Sequence, residues 1–109
     1  MSKVTRPVTV AMPPHGVVVA ESIHGTDFRM PLRADPYHKL IYVLQGRVVC
    51  RDHNAEREIV AGPGTLLIVP RGSVHRLRDH SPATLLLLCL APEFIAVDPH
   101  RRALWRTLG

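Results

Sequence analysis

Residues 64–79, with the sequence GTLLIVPRGSVHRLRD, carry the strongest local structural signal in the chain. The run at 65–69 is apolar and rich in residues that favour a buried strand. Pro70 presets φ for a turn and Gly72 accepts a positive φ, so the chain can reverse there with little strain. We therefore expect a strand, a turn at 70–72, and a second short strand that presents His75 beside the first.

The spacing of this stretch resembles the second sequence motif of the cupins. That motif runs glycine, five residues, proline, one residue, glycine, two residues and histidine, and the chain follows it from Gly64 to His75. Asp79 departs from the pattern, because cupins usually carry asparagine there. An ordinary β-hairpin with a half-exposed histidine is the alternative. The resemblance covers roughly residues 28–92 and implies an all-β fold, the cupin-type double-stranded β-helix or jelly-roll barrel.

The composition indicates one β-rich domain over residues 1–109. Ten prolines and seven glycines lie between apolar runs, which is typical of a chain with many turns. We expect about eight strands, with the core at about residues 16–92. Asp98 as N-cap and Pro99 at the first helical position predict a short C-terminal helix over about 98–108.

Charge and hydropathy exclude several classes of partner. The net charge of +5 arises from fourteen scattered Lys and Arg residues, whereas a nucleic-acid surface needs a basic stripe or patch. The longest apolar run, residues 85–91, is far shorter than the roughly 20 residues of a membrane helix. No signal peptide is evident, so we expect a cytoplasmic protein in which Cys50 and Cys89 are buried free thiols.

Short apolar runs between turn residues predict the remaining strands. Those expected before the cupin-like stretch lie at residues 8–12, 17–20 and 28–30, with a polar connection at 21–27. Residues 37–44 and 47–51 are rich in β-branched and aromatic side chains and meet at Gly46, which predicts a hairpin.

The run at 85–90 is too apolar to have a solvent-facing side. In so small a domain, the outer face of its sheet should be covered by another subunit or by the terminal segment. We therefore expect a homodimer that is formed across this sheet.

The first cupin motif is altered in this chain. In cupins it supplies two histidines and a glutamate before a Tyr-Val-Leu-x-Gly strand, and these three bind a divalent metal ion with the histidine of the second motif. The strand is present at residues 42–46, but the resemblance puts Lys39 at the glutamate position and Arg33 and Asp35 at the histidine positions. Since Lys and Arg cannot ligate a cation and would repel it, we expect no cofactor.

A different metal set remains open. Asp35, His38 and His75 could together ligate one Fe, Mn, Ni or Zn ion and support a dioxygenase or isomerase. Alternation along a strand turns His38 to the face opposite Lys39 unless a bulge shifts the register. A hydrogen-bonded strand histidine at a subunit contact is therefore the alternative for His38.

Residues 37–46, the Pro-Arg-Gly-Ser-Val-His segment and the Leu-rich strand are most similar to the effector-sensing cupin domains of AraC-like transcription regulators. Those domains commonly bind a small effector without metal, and the regulators continue into helix-turn-helix units. The resemblance implies a small-molecule-binding cupin, not an enzyme, that lacks its own DNA-binding part. Such a chain is a free-standing cupin, an excised sensor domain, or one that meets its partner in trans.

The expected binding residues are Arg33, Tyr37, Lys39 and His75, at the mouth of the barrel. If Lys39 and Arg33 face the mouth beside His75, the pocket favours a small carboxylate or a sugar acid. If Lys39 instead pairs with Asp35 or Asp79, the pocket is a neutral hydrogen-bonding site.

Overall fold

The structure is a computed structural model that describes residues 3–4, 11–24, 28–29, 33–53, 56–79 and 81–108. Within these ranges the chain forms nine strands and two helices. In chain order they are β1 (Lys3–Val4), β2 (Val17–His24), β3 (Phe28–Arg29), β4 (His38–Gln45), β5 (Val48–Asp52), β6 (Arg57–Ala61), β7 (Leu66–Val69), β8 (His75–Asp79), β9 (Ala83–Leu90), α1 (Pro92–Ala96) and α2 (Pro99–Leu108).

Two sheets enclose the core. The larger sheet has the strand order β1-β3-β8-β5-β6, and the smaller sheet has the order β2-β9-β4-β7. The apolar side chains between them are Ile41, Val43, Val48, Cys50, Ala61, Leu67, Val69, Leu77, Ala83 and Leu85. Cys50 and Cys89 are both buried and free, as expected. The prediction of an all-β jelly roll with a short C-terminal helix is confirmed.

The turn after β7 changes sheets, and the expectation that His75 returns beside the strand it left is wrong. Strand β7 pairs with β4 in the smaller sheet, whereas β8 lies between β3 and β5 in the larger sheet. The turn itself is as predicted, because Ser73 donates to the Pro70 carbonyl at 3.1 Å and Gly72 has a φ of +76°. Arg33, in the loop that precedes β4, exchanges two backbone hydrogen bonds of 2.9 Å with His75. This pairing directs the chain away from β7.

The hairpin predicted around Gly46 is also wrong, for a related reason. Strand β4 pairs with β7 and β9, and β5 pairs with β6 and β8 in the other sheet. Gly46 has a φ of +75°, and a Cβ atom there would lie 1.9 Å from the carbonyl oxygen of Pro82. This corner needs glycine because the backbone before β9 occupies the space of a side chain.

Strand β2 is longer than predicted. It continues through residues 21–24, where a polar connection was expected, because each of its residues pairs with a residue of β9. Most of the strand expected at 8–12 lies outside the described residues, and residues 11–12 have no strand structure. Of the strand expected at 28–30, β3 covers residues 28–29, and residue 30 lies outside the described residues.

The C-terminal helix begins as predicted. The Asp98 carboxylate accepts hydrogen bonds from the backbone N–H groups of His100 at 2.8 Å and Arg101 at 3.3 Å, which is N-capping. The preceding helix α1 was not predicted, although Pro92 occupies its first turn. In the described part of the chain, neither helix has the length and apolar character needed to cross a bilayer.

The outer face of the smaller sheet is apolar and largely exposed. On this face, Leu86 of β9 lies between its pairing partners Glu21 of β2 and Tyr42 of β4. Leu66 of β7 lies on the other side of Tyr42. We call this surface the outer apolar face; its exposed hydrophobic members are Val19, Ile23, Tyr42, Leu66 and Leu86. Helix α2 reaches one end of the same sheet, where the Trp105 ring lies 4.3 Å from the ring of His38 between centroids.

Candidate ligand-binding site

Three polar residues, one in a loop and two on strands of different sheets, are buried together, with Arg33 beside them. Asp35 and Lys39 are each 5% exposed and His75 is 1% exposed, which is rare for ionisable side chains unless they are paired. We call Arg33, Asp35, Lys39 and His75 the Asp35 cluster. It contains three of the four predicted binding residues. The fourth, Tyr37, is also buried and lies immediately before β4 in the chain.

Strand alternation and one loop bring the cluster together. Lys39 shares the inner face of β4 with Ile41 and Val43, both fully buried. The backbone N–H of Gly72 donates to the Asp35 carbonyl at 2.9 Å. This bond and the Arg33–His75 backbone pair connect the altered first motif directly to the second motif. The loop at 33–37 therefore holds its carboxylate against the two strands that carry Lys39 and His75.

Electrostatic pairing centres on the Asp35 carboxylate. Lys39 Nζ donates to Oδ2 at 3.0 Å, and Arg33 Nε donates to Oδ1 at 2.9 Å, with a second contact from the Arg33 terminal nitrogen. Burial by itself would raise the pKa of Asp35, but the Lys39 ammonium and then the Arg33 guanidinium hold that pKa below its ordinary value. Two cations around one carboxylate leave a net positive charge in the barrel interior. The structure thus shows the Lys39–Asp35 pairing that the neutral-pocket alternative anticipated.

His75 has one engaged ring nitrogen and one without a partner. Its Nδ1 lies 3.0 Å from the Ser73 carbonyl oxygen, which can only accept, so Nδ1 carries the proton. Nε2 is buried and has no hydrogen-bond partner among the described residues. Its distance of 4.0 Å to Asp35 Oδ2 is too long for a hydrogen bond. Burial lowers the pKa of His75, and the bond to Ser73 opposes this only in part, so the imidazole is neutral with a lone pair on Nε2.

A cavity of about 260 Å³ adjoins the cluster. It is bordered by strand β7, by Pro70 and Ser73 of the turn that follows, and by five residues of the facing larger sheet, Cys50, Asp52, Arg57, Ile59 and His75. It thus opens where the edge strands β6 and β7 of the two sheets face each other. His75 is the cluster member that borders the cavity. Sequence reasoning missed Asp52 and Arg57, although alternation from Cys50 along β5 and cross-strand pairing with β6 would place both on the inner face.

The alternative metal set is not assembled. His38 lies on the face of β4 opposite Lys39, where its Nδ1 accepts the backbone N–H of Arg71 at 3.0 Å and its ring packs on Trp105. Asp35 is already paired with two cations, so Lys39 would have to leave before a metal ion could take its place. Among the residues described, no group of three His, Cys, Asp or Glu side chains is arranged to hold a metal. The residues present therefore do not fit a divalent cation.

Several solved structures share this fold. A cupin superfamily protein of Desulfitobacterium hafniense is 18% identical, with a TM-score of 0.67 over 77% of this chain and 74% of its own. The cupin domain of Cnp3 from Schizosaccharomyces pombe is 11% identical, with a TM-score of 0.68 over 79% and 60% of the two chains. The polyketide cyclase RemF from Streptomyces resistomycificus is 23% identical, with a TM-score of 0.62 over 69% and 54%. At these identities the likeness concerns the fold alone.

The sequence itself also identifies the family. No match was found among curated proteins. The family model described as "Cupin domain" matches residues 19–91, which contain the Asp35 cluster, the cavity-bordering strands and both altered motifs. This match covers well over half of the chain and agrees with the two-sheet architecture. The chain belongs to the cupin family.

Proposed function

We propose that this cupin binds a small carboxylate or sugar acid in the cavity beside the Asp35 cluster and acts as a binding domain, not as an enzyme. The observation that carries the proposal is the Lys39 ammonium, which lies inside the barrel and shares one carboxylate with Arg33. A buried charge that is incompletely compensated is costly, and a ligand carboxylate would complete the pairing.

The contacts of Lys39 support an anionic ligand. Among the described residues, its ammonium donates to Asp35 Oδ2 and to no other acceptor, although an ammonium carries three donor hydrogens. Arg57 on the cavity border adds a second basic side chain. Because attraction between charges is stronger at low dielectric, an anion gains more here than at the protein surface.

Metal-dependent catalysis is the competing function, and the geometry favours it less. A metal enzyme would need Asp35 released from Lys39 and Arg33 and a third ligand in place of His38. We propose that the protein as purified without chelator contains no stoichiometric transition metal. Elemental analysis that finds about one iron, nickel, manganese or zinc per chain, lost in His75→Ala, would overturn this and put the dioxygenase or isomerase first.

A sensing role is supported by the resemblance to the AraC-like effector domains and by one path of contacts. The turn that follows β7 borders the cavity through Pro70 and Ser73, and the same turn donates the Arg71 N–H to His38. His38 in turn packs on Trp105 of α2. A ligand that shifts the turn would therefore also shift His38 and, through Trp105, the position of helix α2.

A homodimer fits the outer apolar face. A contiguous apolar surface of this kind usually marks an interaction site, and a sheet face whose described outward residues include no Lys or Arg suits a second copy of itself. Glu21 is the charged residue in the row that contains Leu86. It lies on the edge strand β2, so it would remain at the rim of a contact with two-fold symmetry.

A thermal-shift screen tests the ligand class. Carboxylates and sugar acids should stabilise the wild-type protein, neutral sugars of the same size should not, and the stabilisation should vanish in Lys39→Met. Glu58→Gln, which alters a carboxylate on the exposed outer side of the larger sheet, is the control and should respond like the wild type. Equal stabilisation by neutral sugars in both Lys39 forms, with no effect of acids, would refute an anion site.

A further inference from the structure

The unpartnered nitrogen of His75 restricts the ligand more narrowly than charge does. Nε2 is an acceptor whose atom is inaccessible to solvent and has no hydrogen-bond partner among the described residues. A buried acceptor without a donor is costly, whereas the great majority of buried polar groups in folded proteins are satisfied. The ring cannot relieve this by turning over, because Nδ1 is held by the Ser73 carbonyl.

We propose that the ligand is a hydroxy acid whose hydroxyl donates to His75 Nε2 while its carboxylate is attracted by the net positive charge of the Asp35 cluster. This inference rests on the anion site proposed above and adds the requirement for a hydroxyl. Simple carboxylates lack the donor, and neutral polyols lack the charge.

The acceptor nitrogen of His75 lies close to the positive charge of Lys39, although His75 is the member of the cluster that borders the cavity. Lys39 Nζ lies 3.0 Å and His75 Nε2 lies 4.0 Å from the same oxygen, Asp35 Oδ2. Nε2 is a neutral acceptor near a positive charge, so it favours a ligand that presents a hydrogen-bond donor a few bonds from a negative charge. A hydroxyl near a carboxylate has this arrangement, and in a hydroxy acid both groups belong to one rigidly linked fragment.

The size of the cavity limits the rest of the molecule. At about 260 Å³ it is smaller than the ~300–1,000 Å³ typical of sites for drug-sized ligands. The apolar residues of β7 and Ile59 contact one side of it, and Ser73, Asp52 and Arg57 border it with polar groups. A short hydroxy acid or a single sugar acid therefore fits, and an oligosaccharide does not.

Matched pairs of small acids test the inference by calorimetry. The probes are lactate against propionate, malate against succinate, and gluconate as the largest, each at a pH where His75 is neutral. The hydroxy acid of each pair should bind about tenfold or more tightly than its deoxy partner, since the hydroxyl satisfies an otherwise unpaired buried acceptor. Lactamide, which keeps the hydroxyl and lacks the charge, should bind more weakly than lactate.

Nitrogen NMR measures ligand binding at His75 in the wild-type protein, and a variant is needed only to assign the resonance. In protein labelled with ¹⁵N-histidine, the Nε2 resonance of His75, identified through its loss in His75→Gln, should shift on addition of the hydroxy acid while Nδ1 keeps its proton. Propionate and succinate should leave that resonance in place. His15, whose Nδ1 accepts the backbone N–H of Val17 at 3.3 Å and which does not border the cavity, serves as the internal control and should not respond.

The outcomes separate this inference from the anion site on which it rests. If both members of each pair bind equally and Nε2 does not move, the hydroxyl requirement is wrong and the anion site stands. If lactamide and glycerol bind as well as lactate, the anion site is wrong, and the hydroxy-acid class falls with it. Absence of any binding by these probes, with an unmoved Nε2 resonance, refutes both.

Discussion

Each side of strand β4 carries a residue whose polarity is unusual for its position. Its inner side carries Lys39, 5% exposed and held by Asp35, whereas its outer side carries Tyr42, 39% exposed among other apolar residues. Soluble domains generally bury apolar side chains and expose charged ones. This reversal is the common ground of the two proposals above, a ligand beside the buried charge and a second copy of the chain on the exposed apolar surface.

The largest expected effect comes from removing the charge at the centre of the inner side. Asp35→Asn leaves Lys39 and Arg33 buried without a counter-ion, so the free energy of unfolding should fall by about 3–5 kcal/mol. Urea denaturation measures it. Adding Lys39→Met should restore part of the loss, because it removes one of the uncompensated charges.

A matched control lies on the exposed side of the larger sheet. Glu58 also contacts two arginines, Arg51 at 4.0 Å and Arg78 at 3.3 Å, but all three side chains are substantially solvated. Glu58→Gln should therefore change stability by no more than about 1 kcal/mol. Equal effects of the two substitutions would contradict the view that the Asp35 cluster is a buried ion network.

The second effect concerns the outer side. Leu86 is 38% exposed and faces outward, whereas Leu87 faces inward, so Leu86→Asp is the informative substitution. If two copies meet across the outer apolar face, it places an unpaired carboxylate in the contact, and the dimer should weaken about 100-fold or more. Analytical ultracentrifugation at low micromolar concentration measures this.

Val60→Asp provides the comparison for the dimer. Val60 is 59% exposed but belongs to β6 in the larger sheet, away from the outer apolar face. It should leave the association unchanged. A wild-type protein that sediments as a single monomer species would exclude the dimer altogether.

The smallest effect is the pH dependence of stability that arises from His75 on the inner side and His38 on the outer side. Burial lowers the pKa of both His75 and His38 below the ordinary value of 6.5. The unfolded chain therefore takes up these protons first, and stability should decline as pH falls below about 6.5. Asp35, with a pKa below its ordinary 3.8, adds a further loss only below that pH.

The groups that face His75 are Asp35, Lys39, Arg33 and, across the strand pair, Asp52. The opposed charges of these neighbours leave burial as the main cause of its shift. His75→Gln and His38→Gln should each flatten part of the stability loss between pH 6.5 and 5, measured by thermal unfolding across that range. A slope unchanged in the double variant would show that neither ring is buried neutral.

Much of the site followed from local signals. Alternation along β4 correctly separated Lys39 from His38, because the side-chain period of a strand is strictly two. The Pro70–Gly72 turn and the Asp98 cap were also predictable, since each depends on the conformational preferences and hydrogen bonding of a few adjacent residues. Placing Arg33 and Asp35 beside Lys39 came from the resemblance to the first cupin motif and not from any local preference.

The sequence by itself therefore determined most of the strands, the Pro70–Gly72 turn, the Asp98 cap and the opposite sides of β4 on which Lys39 and His38 lie. The tertiary structure decided which strands pair: β4 and β5 meet at Gly46 yet belong to different sheets, while Val17 pairs with Leu90, which is distant along the chain. It also decided that Asp35 is shared by two cations and that no described residue donates a hydrogen bond to His75 Nε2. Such pairings depend on contacts between distant segments, whose free energy is set by the packing of the whole core, so no short window of sequence reports them.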